Sequence, residues 1–413
     1  MIRLDKSKLS KVEHLFILSP AIFTFLVIFN VHDSKFIVSR LIIMLVIYCS
    51  FRFGREIVEE FKIKFVFLFF GSLMAAYFFL MQGINEGNSD LPRSITYLLV
   101  YFLVVPLRFF SKESFFYLAF LGSFSSGCLA LYEFYILKEE RIGFLTLNPI
   151  PFSYYSAMST ILMLGIFTSF FSIKIDKVKS ILLFISLPLS MFAVIVSQTR
   201  ATYLSLALLG LLWIVRYITR YPTKRNLLLV TIFIFSAPSA LWKVEDVKVR
   251  VLDAYQQVQN FSIDDYRSST GARIKLWEAG LYISSNDFLF GHSKSEVSEL
   301  ALDLIGEGLS PSFLKMFLVH PNPNFHNQFI QTMTDSGIIG IVMILLFVFS
   351  PVLISMPTKN KSIRCLAFFV TAHTVICLWF DSMFLYNHTI ILYSVISIMF
   401  YGISQKECLE NHQ

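Results

Sequence analysis

SILLFISLPLSMFAVIVSQTRATYLSLALLGLLWIVRYIT, running from Ser180 to Thr219, is two apolar segments joined by Gln198-Thr199-Arg200-Ala201. Each segment comes close to the roughly 20 residues that an α-helix needs to cross a bilayer. Inside hydrocarbon every backbone N–H and C=O must find its partner within the segment, so a run of this kind is helical. Segments 180–197 and 202–219 therefore read as a membrane hairpin, and its turn holds Arg200 at the bilayer boundary. An arginine there is costly unless it is paired or solvated.

The same rhythm extends in both directions. Apolar runs at 14–32, 36–51, 63–83, 95–110, 115–137, 152–173, 226–242, 328–355, 363–381 and 385–403 bring the expected count to about twelve spans. The fold class expected is an all-α polytopic membrane protein. Composition agrees: the 413 residues are 55% hydrophobic and 15% charged, where a soluble chain would have about a quarter charged. With the N-terminus inside, 21 Lys and Arg of the termini and short loops fall on the inner side and six on the outer. That asymmetry orients both termini to the cytoplasm. It also accounts for the net charge of +7 without a nucleic-acid partner. The first apolar run reads as an uncleaved signal anchor. The five cysteines include no CxxC pair, so neither a disulfide framework nor a zinc site is expected.

One interruption divides the chain into 1–242, a bundle of about nine spans; 243–325, a large external loop; and 326–413, about three spans and a short tail. A loop this long is more often functional than a connector. Ile274, Trp277, Leu281 and Tyr282 recur in it at helical spacing, behind Ser269 and Thr270 as caps. The loop has eight Lys and Arg against eleven Asp and Glu. Any anion it binds must therefore be gripped by individually placed arginines rather than by a bulk field.

Three polar motifs converge on the outer side: Ser197-Gln198-Thr199-Arg200, Gly271-Ala272-Arg273 and His326-Asn327. Arg200 either snorkels to headgroups or binds an anion, and guanidinium suits phosphate because its planar fork meets two oxygens at once. Arg273, at a helix start, is either a solvated surface residue or an addition to the anion preference of that terminus. His326 is either an interfacial structural histidine or a proton carrier near neutral pH. The run Gln328 to Gly340, with Asp335, Gly337 and Gly340, allows an irregular helix start. Asn327, His320, Asp381 and Arg141 are weaker candidates for binding substrate; His373 and His388 read as packed groups. Two guanidiniums and an imidazole at a bilayer face suit a diphosphate-linked lipid. There is no Walker A loop, nucleotide-binding glycine fingerprint or HExxH, and no external Asp-x-Asp. Asp264-Asp265 reads as a solvated pair. Neither a cofactor nor a catalytic metal is expected.

Ser197-Gln-Thr-Arg-Ala-Thr202 at the opening of a span resembles the signature of bacterial O-antigen ligases. So do Gly271-Ala-Arg-Ile-Lys-Leu-Trp-Glu-Ala-Gly-Leu281 and His326-Asn-Gln-Phe-Ile with Asp335-Ser-Gly-Ile-Ile-Gly340. The resemblance covers about 150–345; the earlier spans match in topology alone, and the proline-rich stretch around His320 departs from the family pattern. It implies a periplasmic-side transferase of the Gram-negative inner membrane. The donor would be O-antigen on undecaprenyl diphosphate and the acceptor lipid A–core. Arg200 and Arg273 would neutralise the diphosphate, and His326 would act as general base in an inverting displacement that needs no ATP or metal. The alternatives are an O-antigen polymerase, a protein O-oligosaccharyltransferase, and a lipid-linked glycan transporter without chemistry.

Overall fold

The computed structural model describes residues 11–31, 34–145, 147–167, 177–220, 222–223, 242–243, 245–259, 268–319 and 321–410. Among these residues no strand occurs. In chain order the helices before the loop are α1 (Lys11–Ile17), α2 (Ser19–Leu26), α3 (Lys35–Asn85), α4 (Asp90–Val104), α5 (Lys112–Leu131), α6 (Pro149–Phe167), α7 (Lys177–Ser197) and α8 (Arg200–Arg220). The loop holds α9 (Glu245–Gln259), α10 (Ser269–Asn286), α11 (Lys294–Gly306) and α12 (Lys315–Leu318). After it come α13 (Gln328–Val348), α14 (Ser350–Ser355), α15 (Lys361–Phe380) and α16 (Asn387–Glu410).

Seven of the described helices are long and apolar enough to cross a membrane. The chain is an all-α membrane protein, and its helix boundaries differ from the expected spans for local reasons. Segments 36–51 and 63–83 belong to one 51-residue helix, α3, bent at Phe53 (φ −127°, ψ 17°). The stretch between them is charged but rich in helix formers, so hydropathy drops while the helix continues. At about 1.5 Å per residue α3 is more than twice as long as the ~30 Å hydrocarbon layer. Segment 95–110 corresponds to a 15-residue helix, α4. It ends where Pro106 drives Val105 into an extended conformation (φ −89°, ψ 123°). Segment 14–32 is divided between α1 and α2, with Pro20 in the first turn of the second. Segment 226–242 lies almost wholly outside the described residues.

Helix α16 runs through the middle of the bundle. Its apolar stretch is buried throughout, as expected of a helix that is hydrophobic all round. Helices α5 and α7 approach closely because Gly127 leaves room for Leu189, which a Cβ there would strike.

The loop has a small core of its own, with Leu276, Ile283, Val297, Leu304, Leu314, Leu318 and Phe325 buried together. It is also latched to the bundle. The Asn85 side-chain amide donates to the carbonyls of Phe290 (2.8 Å) and Asp335 (3.1 Å). Within the bundle, Tyr77 donates to the Ser336 carbonyl, and from α13 the Ile338 amide reaches the loop, donating to the Phe288 carbonyl at 2.9 Å. The expected irregularity in α13 falls at Gly337 (φ 60°, ψ −166°), where a Cβ would collide with the Leu289 carbonyl. Glycine is required here on both counts.

Candidate functional site

Helix α8 begins at Arg200, directly after a turn in which Gln198 adopts a left-handed conformation (φ 53°). Helix α10 begins at Ser269, and its cap is Ser268, whose hydroxyl accepts from the Gly271 amide at 3.0 Å. The expected caps, Ser269 and Thr270, are already inside the helix. The buried face of α10 also differs from the expected stripe: Leu276, Ala279, Gly280 and Ile283 face inward, while Leu281 and Tyr282 are exposed. Gly280 decides this, because it lets the helix lie against Phe325 and Ile330, both of which a Cβ would strike. That contact brings the helix bearing Arg273 against the start of α13, beside His326.

A cavity of about 790 Å³ opens between α8, α9, α10 and the end of α15. Its lining includes Arg141, Arg200, Arg250 and Arg273, against the carboxylates Asp253 and Asp381. The structure therefore brings Arg200 and Arg273 to one cavity and adds Arg141 and Asp381 to it. Arg250, on α9, was not among the sequence candidates. The signal available was an arginine and three glutamines within one stretch, 245–259, that precedes the Gly-Ala-Arg motif.

The guanidiniums are held mostly by neutral partners. Arg200 donates to the Gln257 side chain at 2.8 Å and lies 3.8 Å from Asp253. Arg250 directs Nε (3.1 Å) and Nη2 (2.8 Å) at the Gln198 side-chain oxygen. Arg141 donates to the Ser197 carbonyl at 3.0 Å. Arg273 reaches Ser269 at 3.2 Å, and its Nε is buried with no hydrogen-bond partner among the described residues. Burial first, and then the nearby charge of Arg250, lowers the pKa of Arg141. The site thus carries more positive charge than it neutralises, which favours a polyanion and disfavours a divalent cation.

His326 stands at the edge of this site. Its Nδ1 is 3.5 Å from Asp381 Oδ1, an ion-pair distance longer than a good hydrogen bond. Catalytic contacts often tighten only around substrate. The His326 backbone is left-handed (φ 50°), and its amide donates to the Asn324 side chain at 2.8 Å. Asn327 is buried, and its side-chain oxygen caps α13 by accepting the amides of Phe329 (2.9 Å) and Ile330 (3.2 Å). Its visible work is structural. His320 lies outside the described residues. His373, expected as a packed group, is fully buried and bonded to Ser205 at 2.7 Å.

Geometrically, the cavity can hold a diphosphate with an imidazole and carboxylate at its rim. A family model described as O-Antigen ligase matches residues 181–345, a range that includes Arg200, Arg250, Arg273 and His326. The chain is also 24% identical over 240 residues to an O-antigen ligase of Escherichia coli (strain K12). That alignment covers 58% of this chain and 55% of the relative, so the chain spans about half the length of the relative it matches. Both matches, like the three motifs, make this chain similar to O-antigen ligases.

Proposed function

We propose that the protein is a glycosyltransferase of lipopolysaccharide assembly. It joins O-antigen polysaccharide from undecaprenyl diphosphate to a sugar hydroxyl of lipid A–core at the periplasmic face of the inner membrane. The observation that carries this reading is the gathering of four arginines in one cavity, with His326 and Asp381 at its edge. A diphosphate diester carries two negative charges, and four guanidiniums against two carboxylates leave room for that number. The loop, 243–325, would supply the α9 and α10 walls, and both termini would lie in the cytoplasm.

In the proposed reaction, Asp381 faces Nδ1 of His326 and leaves Nε2 for the acceptor hydroxyl. That division of the two ring nitrogens is how a carboxylate orients a histidine base. Nε2 takes the hydroxyl proton as the oxygen attacks the anomeric carbon. The bond from that carbon to the phosphate oxygen breaks with its electron pair, and one displacement inverts the centre. Arg200 and Arg273, helped by Arg141 and Arg250, stabilise the charge that builds on the departing phosphate.

The test is glycan transfer by purified protein, supplied with undecaprenyl-diphosphate-linked glycan and lipid A–core in the absence of nucleotide and metal. Transfer by the wild type, lost in Arg200→Ala and Arg273→Ala, supports the reading. Elongation of the carrier-linked glycan without transfer to lipid A–core would make the protein a polymerase instead.

A further inference from the structure

Trp277 lies one helical turn beyond Arg273 on α10, so the two side chains share a face, and both line the cavity. Phe380, also in the lining, immediately precedes Asp381. The two aromatic rings are 6.5 Å apart at an angle of 50°. Behind this pair, Trp379 meets Trp277 edge to face at 6.4 Å and packs on Phe329 at 6.0 Å. The wall made by Trp277 and Phe380 therefore lies between Arg273, one turn back on α10, and Asp381, the partner of His326. The Nε1 of Trp277 is buried and has no hydrogen-bond partner among the described residues.

We infer that Trp277, with Phe380, is the platform for the pyranose ring attached directly to the donor diphosphate; this rests on the transferase reading above. The phosphate sits among the arginines and the acceptor oxygen sits at His326. The anomeric carbon must lie between them, and the ring that carries it must rest on whatever wall spans that gap. That wall is aromatic. The C–H face of a pyranose is apolar and slightly positive, which suits the negative face of an aromatic ring. Trp277 thus holds the sugar and sets which sugars are accepted, while the arginines hold the carrier whatever it bears.

The experiment compares two probes on the full-length protein in detergent. One is a polyprenyl diphosphate capped as its methyl diester; the other carries a single pyranose in place of the methyl, so both have the same charge. The wild type should bind the pyranose probe about fivefold more tightly, the scale of one aromatic contact. Trp277→Leu should erase that margin and leave the methyl probe's affinity within about twofold. Trp277→Phe, which keeps a ring and the packing of α10, should keep part of the margin. Equal weakening of both probes by Trp277→Leu and Trp277→Phe would overturn the platform and make Trp277 a structural wall. So would a full margin in Trp277→Leu. Arg273→Ala separates the parent reading, because it should weaken both probes alike. If the wild type bound neither probe, the transferase reading itself would fall and take the platform with it.

Discussion

His326 occupies a backbone conformation that most side chains avoid. At φ 50° it lies in the left-handed region, where Asn, Asp and His are enriched, and the Asn324 side chain accepts its amide. The unusual turn aims the ring at Asp381 instead of along α13. Asn tolerates the same conformation but cannot take a proton, which makes His326→Asn a cleaner test than Ala. Glycan transfer should fall about 10²- to 10⁴-fold, the range of a lost general base, with an unchanged melting temperature. Retained transfer in this variant would remove His326 from the chemistry. Arg250 belongs to the same scale: its Nε and Nη2 both rest on Gln198, a neutral partner that a phosphate can displace without separating an ion pair. Arg250→Gln should weaken donor binding several-fold, measured as a rise in donor KM.

Among the elements, α13 is the least regular and the most informative. Its break at Gly337 lets the chain just after α10 lie against it, so that Phe288 and Leu289 meet the helix backbone directly. Gly337→Ala adds a Cβ where φ is positive and the Leu289 carbonyl is in the way. It should cost at least about 2 kcal/mol and expose the loop to protease before the bundle melts. An unchanged melt and digestion pattern would mean the latch is dispensable. The sequence showed the polar motifs, the loop and the glycines of α13, because each departs from a strong background of apolar helix. It hid the face of α10, because that face is set by Ala279 and Gly280, small residues whose value lies in what they admit. Large apolar residues at helical spacing pointed instead to Leu281 and Tyr282, which are exposed. The continuity of α3 was hidden for a related reason: hydropathy reports the loss of apolar character from Arg52 to Lys62, while the arginines, glutamates and lysine that fill that stretch are good helix formers.

Across the whole molecule, α3 ties the loop latch at Asn85 to a buried ion pair far down the bundle. Lys64 is fully buried, lies 3.1 Å from Glu60, and donates to the carbonyls of Leu103 (3.2 Å) and Val105 (2.8 Å). Glu60 accepts the Leu107 amide at 2.8 Å. Between them the pair satisfies the backbone that Pro106 interrupts at the end of α4. Lys64→Met should cost about 3–5 kcal/mol because it strands a buried carboxylate, and Glu60→Gln with Lys64→Met should cost less than Lys64→Met alone. Thermal melts of the three proteins would show this ordering. The cavity draws its four arginines from separate stretches of chain, and in the proposed reaction all of them close on the carrier's diphosphate. That group does not change hands. After transfer the carrier keeps both phosphates and gains an ionisable oxygen, so the spent lipid is a better ligand than the loaded one. The enzyme should therefore be held by its own product: a rapid first turnover, then a slower steady rate set by escape of the bare carrier into the bilayer.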